Sequence, residues 1–218
     1  TFENVNHYKI EEAYQYYNQY GRKVPYTVQL NKPERAKGAA NFFRQNVHRL
    51  QLGNVGLELI KSNGQAAKPG DIKNIRQQLD PWTGEISSSF TFEGVPVSVI
   101  TVAHQESDLI AASIQSPLIR QGRLKIKIRY PYPTGDWTDV GNNFANVNQH
   151  QTIITQNGAH AATIKHQLDS AVYFTDFSWL GKATLKIRSA HFFVLSPDQH
   201  SSQFSFSFLF TAGGKSGN

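Results

Sequence analysis

The chain has 218 residues, 39% hydrophobic and 17% charged, which is globular material rather than a disordered tail. It contains no cysteine, so it has no disulfide, no thiolate metal site and no cysteine nucleophile, and no apolar run nears the ~20 residues of a membrane-spanning helix. Lysine and arginine number 22 against 16 acids, a net charge of +6, which sets a basic binding surface against a plain solvated strand face.

In chain order, residues 10–17 (IEEAYQYY) have helical composition and end before Gly21, predicting a short helix. Residues 23–30 alternate, with Val24, Tyr26, Val28 and Leu30 on one face, and read as a strand with Pro25 near its start. Asn31 and Pro33 then open a helix to about residue 46, whose Ala36, Ala39, Ala40 and Phe43 form one small-residue face.

From Gly56 the period becomes two. Strands are predicted near 56–61, 74–80, 85–93, 95–103, 108–116, 123–130, 160–168, 171–178, 183–188, 190–195 and 203–211. In the last, Phe204, Phe206, Phe208 and Phe210 alternate with Ser205, Ser207 and Leu209, a face of four rings that reads as core. Leu124-Lys125-Ile126-Lys127-Ile128-Arg129 places its cations on the opposite face from its aliphatics, which favours the solvated-face reading of the charge. No recognition helix or RNP-type motif accompanies the cations, so nucleic acid is not expected as a partner. Asn63-Gly64, Pro69-Gly70-Asp71, residues 80–84 and Glu93-Gly94 are turn chemistry, and most gaps are too short for parallel crossovers. The fold class is therefore mainly β: a two-sheet antiparallel sandwich with one or two short helices. Residues 1–212 are expected to form one domain, and the Gly-rich 213–218 segment to be a linker-like tail. Methionine is absent even at position 1, which reads as a chain beginning inside a longer polypeptide.

Few residues carry chemistry. Asp136 and Asp139 flank Trp137 in a polar, glycine-punctuated loop, residues 133–144, with Asn142 and Asn143 following. An aromatic beside carboxylates and amides is what a sugar needs, since ring faces stack on C–H surfaces while polar groups take hydroxyls. The competing reading makes the acids turn formers and Trp137 an edge plug. Trp82, in the 80–84 turn, is a further sugar-contact candidate, set against a role covering the core edge. The eight histidines lack HExxH or zinc-type spacing, so they read as structural or surface groups and no metal or other cofactor is expected. His104 and Glu106 are near in sequence, but an acid–base pair of mutarotase type needs them across a cleft.

Several segments together carry a family likeness: Gly21-Arg22-Lys23-Val24-Pro25-Tyr26, Glu34-Arg35-Ala36-Lys37, Asn46-Val47-His48-Arg49-Leu50, Leu79-Asp80-Pro81-Trp82-Thr83-Gly84-Glu85, Ser88-Ser89-Phe90-Thr91, Gly94-Val95-Pro96-Val97, residues 104–119 and Tyr130-Pro131-Tyr132-Pro133-Thr134-Gly135. In this order they resemble the N-terminal region of six-hairpin glycosidase-like proteins, relatives of the (α/α)6-barrel glycosidases and glycan phosphorylases. The resemblance implies a β-supersandwich, of the kind also used by galactose mutarotases, packed on a barrel that holds the catalytic carboxylates. It implies no catalytic residue in this chain. Carbohydrate would be met through the parent enzyme, with Asp136, Trp137, Asp139, Asn142, Asn143 and Trp82 as candidate contacts. No membrane contact is implied, and analogy places such a protein in the periplasm or outside the cell. An independent carbohydrate-binding module and a mutarotase-like enzyme are the alternative readings.

Overall fold

A computed structural model describes residues 4–27, 33–45, 51–133 and 141–213. The chain divides into two compact units, residues 1–51 with 133–143, and residues 52–132 with 144–218. Among the described residues strands predominate and the helices are few and short, so the mainly β class read from the sequence holds.

In the first unit, Ile10–Ala13 forms a single 3-10 turn, followed by strands β1 (Tyr14–Gln19) and β2 (Arg22–Thr27). The helix expected over 10–17 is thus confined to its first turn. Tyr20 and Gly21 have φ of +51° and +81°, and they join the strands in the register Gln19↔Arg22. Two successive positive φ values make the tight hairpin that suits strand twist, so Gly21 turns a hairpin rather than stopping a helix. Aromatic Tyr14, Tyr16 and Tyr17 then favour the strand. Pro25 is tolerated because this sheet has only two strands, leaving outward-facing backbone unpaired. Helix α1 (Glu34–Gln45) lies close to its prediction and buries Ala39 and Ala40 with Ala13, against which Tyr8 and Phe43 pack. Gly38 faces the Tyr8 ring, whose hydroxyl a Cβ would strike. Arg35 clasps Glu12 through two hydrogen bonds of 2.6 and 3.1 Å.

The second unit is the sandwich. Its strands are β3 (Asn54–Leu59), β4 (Ile72–Asp80), β5 (Glu85–Phe92), β6 (Val95–Ala103), β7 (Leu109–Gln115), β8 (Leu124–Arg129), β9 (His150–Asn157), β10 (Ala161–Leu168), β11 (Ala171–Leu180), β12 (Ala183–Ser189), β13 (Phe192–Pro197) and β14 (Gln203–Thr211). They make an eight-stranded sheet, β4-β5-β6-β7-β14-β11-β10-β9, and a four-stranded sheet, β12-β13-β8-β3. Every pairing is antiparallel.

Alternation decides which face is buried. Phe204, Phe206 and Phe208 are 3%, 7% and 8% exposed, and they enter one core with Ile126, Ile128, Leu195 and Phe193 of the smaller sheet. Phe210 packs on that core while half-exposed. Between β7 and β8 a single turn of helix, α2 (Pro117–Arg120), buries Leu118 and Ile119. It is capped by Ser116, which accepts from the Leu118 N–H and donates to the Pro96 carbonyl at 2.8 Å.

Candidate functional site

Of the residues singled out for sugar contact, Asp136, Trp137 and Asp139 lie outside the described residues. Asn142 is exposed and Asn143 half-buried, both in the first unit. Trp82 belongs to the sandwich unit, at the tip of the β4–β5 hairpin, and is 96% exposed. Its backbone N–H is held by the Asp80 carboxylate at 2.9 Å, a contact that keeps the Asp80 carboxyl below its ordinary pKa. The reading that Trp82 covers the core edge is corrected here. Strand β4 is exposed along most of its length, including Ile75 and Leu79, so the hairpin tip reaches beyond the core. His104 accepts from the Glu106 backbone at 3.1 Å within one exposed turn, which is not an arrangement across a cleft.

An uncovered apolar feature lies on the outer face of the eight-stranded sheet. By register, Ile100 pairs with Ser113, Val102 with Ala111, Ser113 with Ser205, Ala111 with Ser207, and Ser205 with Leu180. Small side chains on β7 and β14 floor a depression of about 340 Å³. Ile100 and Val102 wall it on one side and Leu180 on the other, exposed by 44%, 37% and 74%. The walls stand on β6 and β11, three strand spacings apart, hence roughly 14 Å. Ser205 donates to Ser113 at 3.0 Å, so the floor satisfies part of its own polarity. Its hydroxyls are those of Ser113, Ser178, Ser205 and Ser207, and no acid, histidine or lysine lines it beside them.

Polar groups gather instead between the sheets, around three histidines from distant stretches of sequence. The Tyr173 hydroxyl donates to the Leu52 carbonyl at 2.6 Å, so its oxygen accepts from His166 Nδ1. His166 Nε2 then accepts from His150 Nδ1 at 2.8 Å. His191 Nε2 faces the Val147 carbonyl at 2.8 Å and must donate, which leaves Nδ1 to accept from the Thr152 hydroxyl, also at 2.8 Å. The His150 and His191 rings stack with centroids 3.6 Å apart, and Tyr130, bonded to Thr175 at 2.8 Å, packs on His166.

His166, donating from Nδ1 and accepting at Nε2, is a neutral ring in this arrangement. Burial, with the neighbouring His191, lowers His150 to about 4. Burial, with His150 and His191, lowers His166 to about 3. Burial also pushes the Tyr130 and Tyr173 hydroxyls above their ordinary value. His191 sits at φ +58°, a backbone state costing about 1–2 kcal/mol outside glycine, and the contacts of its ring hold it there. The cluster is a hydrogen-bonded network set between the sheets. Among the described residues no group of three or more His, Cys, Asp or Glu is placed to hold a metal ion. No described helix is long and apolar enough to cross a membrane.

Sequence reasoning missed both features. Strand β9 went unread because two of its three inward residues, His150 and Thr152, are polar partners of the network, and only Ile154 packs on the core. The trough had one legible signal: in VPVSVITVA, Ile100 and Val102 are apolar at the positions that face outward. No protein-family profile and no curated protein sequence matches the chain.

Proposed function

We propose that this chain is the non-catalytic β-sandwich domain of a glycoside-hydrolase-like enzyme, and that its eight-stranded sheet docks on a helical barrel of the same polypeptide. The observation that carries the reading is the trough on that sheet's outer face. Aliphatic walls roughly 14 Å apart over a floor of alanine and serine suit a helix about 10 Å across, laid along the strands. Small floor residues let a helix approach closely, and the walls supply apolar area to bury. Sugar would then meet the parent enzyme at a pocket built chiefly by the barrel, with the 133–144 loop or Trp82 at its rim.

The resemblance in the 21–26, 79–85 and 130–135 segments supports the same assignment. The antiparallel two-sheet architecture is consistent with it. Reading the gene past the codon for Asn218 tests the proposal. A helical domain with a pair of inward carboxylates agrees with it, and an immediate stop codon contradicts it.

A further inference from the structure

We infer that the outer face of the four-stranded sheet is a binding groove for an anionic saccharide, one bearing carboxylate or sulfate groups. This site lies on the other sheet from the trough and does not depend on the docking proposal.

The argument begins with where the charge sits. Strand β8 alternates Leu124, Ile126 and Ile128 into the core with Lys125, Lys127 and Arg129 outward. Strand β12 sends Lys186 and Arg188 to the same outer face, and Lys182 lies in the turn before it. Against these six cations stand, among the described residues, two carboxylates, Glu58 and Asp198. The excess of four is most of the chain's net +6. Glu58 is taken by Arg188 in a two-point pair, and Asp198 accepts from the His200 backbone at 3.2 Å. Lys125, Lys127, Lys182 and Lys186 have no ion pair among the described residues.

The face is also concave. Lys125, Lys182, Lys186, Thr184, Ser196 and Gln199 line a depression of about 710 Å³, room for a few sugar units. Beside it the Lys127 stem lies across Gly56, where a Cβ would come within 3.3 Å of its Cε. Like charges held on rigid strands repel one another, and a counter-anion relieves that repulsion.

The lining favours a saccharide over a nucleic acid. Hydroxyl and amide groups of Thr184, Ser196 and Gln199 can exchange hydrogen bonds with sugar hydroxyls. Single-stranded nucleic acid needs open ring faces for stacking, and the rings of this face are already covered. Arg129 lies 3.6 Å from the Phe144 centroid and 5.4 Å from that of Phe192, and Arg188 lies 5.1 Å from Phe192.

Calorimetric titration of the protein with polygalacturonate, dextran sulfate, neutral dextran and a single-stranded DNA oligonucleotide tests the site. Binding of polygalacturonate assigns carboxylate as the preferred anion, and binding of dextran sulfate assigns sulfate. Neutral dextran should not bind. If about three lysines displace counterions, affinity should fall by about tenfold or more between roughly 50 and roughly 200 mM salt. Lys125→Glu/Lys186→Glu should weaken binding by about tenfold or more with an unchanged melting temperature. Lys125→Gln/Lys186→Gln, a milder pair, should weaken it less. The proposal is overturned if neither anionic polysaccharide binds, if binding survives both pairs of substitutions, or if the oligonucleotide binds as tightly as the better polysaccharide.

Discussion

The histidine network makes the protein's stability depend on pH below neutrality. His166 is 0% exposed and both its ring nitrogens are bonded. A proton on Nε2 would have to displace the His150 N–H, so the ring is held neutral down to about pH 3. In the unfolded chain the same ring titrates near 6.5. Between those values the unfolded state binds the extra proton, so stability is complete above about pH 6.5 and is lost as pH falls. Working the two pKa values through the linkage relation gives a loss of about 2 kcal/mol from His166 between pH 7 and pH 5. His150, lowered to about 4 and half-buried, adds a smaller loss because solvent screens it. The carboxylates lowered in the fold, Glu12, Asp71, Asp80 and Glu93, act below this window. Urea unfolding at a series of pH values measures the slope directly. His166→Leu destabilises the protein at pH 7 and should also flatten the slope between pH 7 and pH 5. A wild-type stability that stays level or rises over that interval would refute the reasoning.

Phe206→Ala should cost about 3–5 kcal/mol in urea unfolding, because the ring is 7% exposed and stacks between Phe204 and Phe208 with centroids 6.1 and 6.4 Å away. Trp82→Ala should change stability by less than about 0.5 kcal/mol, since the ring stands almost wholly in solvent, whereas a loss near that of Phe206→Ala would mean it covers core after all. Glu58→Gln breaks the pair with Arg188 at the surface and should cost no more than about 1 kcal/mol, checked by the same unfolding experiment. On the alkaline side Tyr130 and Tyr173, raised by burial, ionise more readily when unfolded. Stability should therefore fall as pH rises past about 10, which melting temperatures in that range would register.

Much of the sandwich is legible in the chain because burial on one face imposes a period of two. LKIKIR and FSFSFLF declare their inward residues, and Glu93-Gly94, at φ +48° and +78°, declares its hairpin. What depends on sheet order is not legible. The trough needs β7 beside β14, and its Ser113–Ser205 contact spans 92 positions, a separation over which no local pattern operates. The histidine cluster fails to declare itself for a related reason: His150, His166 and His191 belong to three separate stretches, and polar inward residues mimic a loop. Helical composition misleads at residues 14–17, where pairing across the Tyr20-Gly21 turn outweighs local propensity. The 133–144 loop reads as a sugar contact from residue types alone, and its Asp136, Trp137 and Asp139 lie outside the described residues.

The absence of cysteine from the chain allows one introduced thiol to report on the docking face. Ser178→Cys places it on the exposed edge of the trough, and its rate of reaction with a thiol reagent can be followed by mass spectrometry in the chain alone and in the longer polypeptide that the proposed function calls for. Docking of a helical domain on this face predicts fast modification alone and at least about tenfold protection in the parent, as expected when an interface covers the site. Equal rates in the two would leave the outer sheet face bare and contradict the assignment.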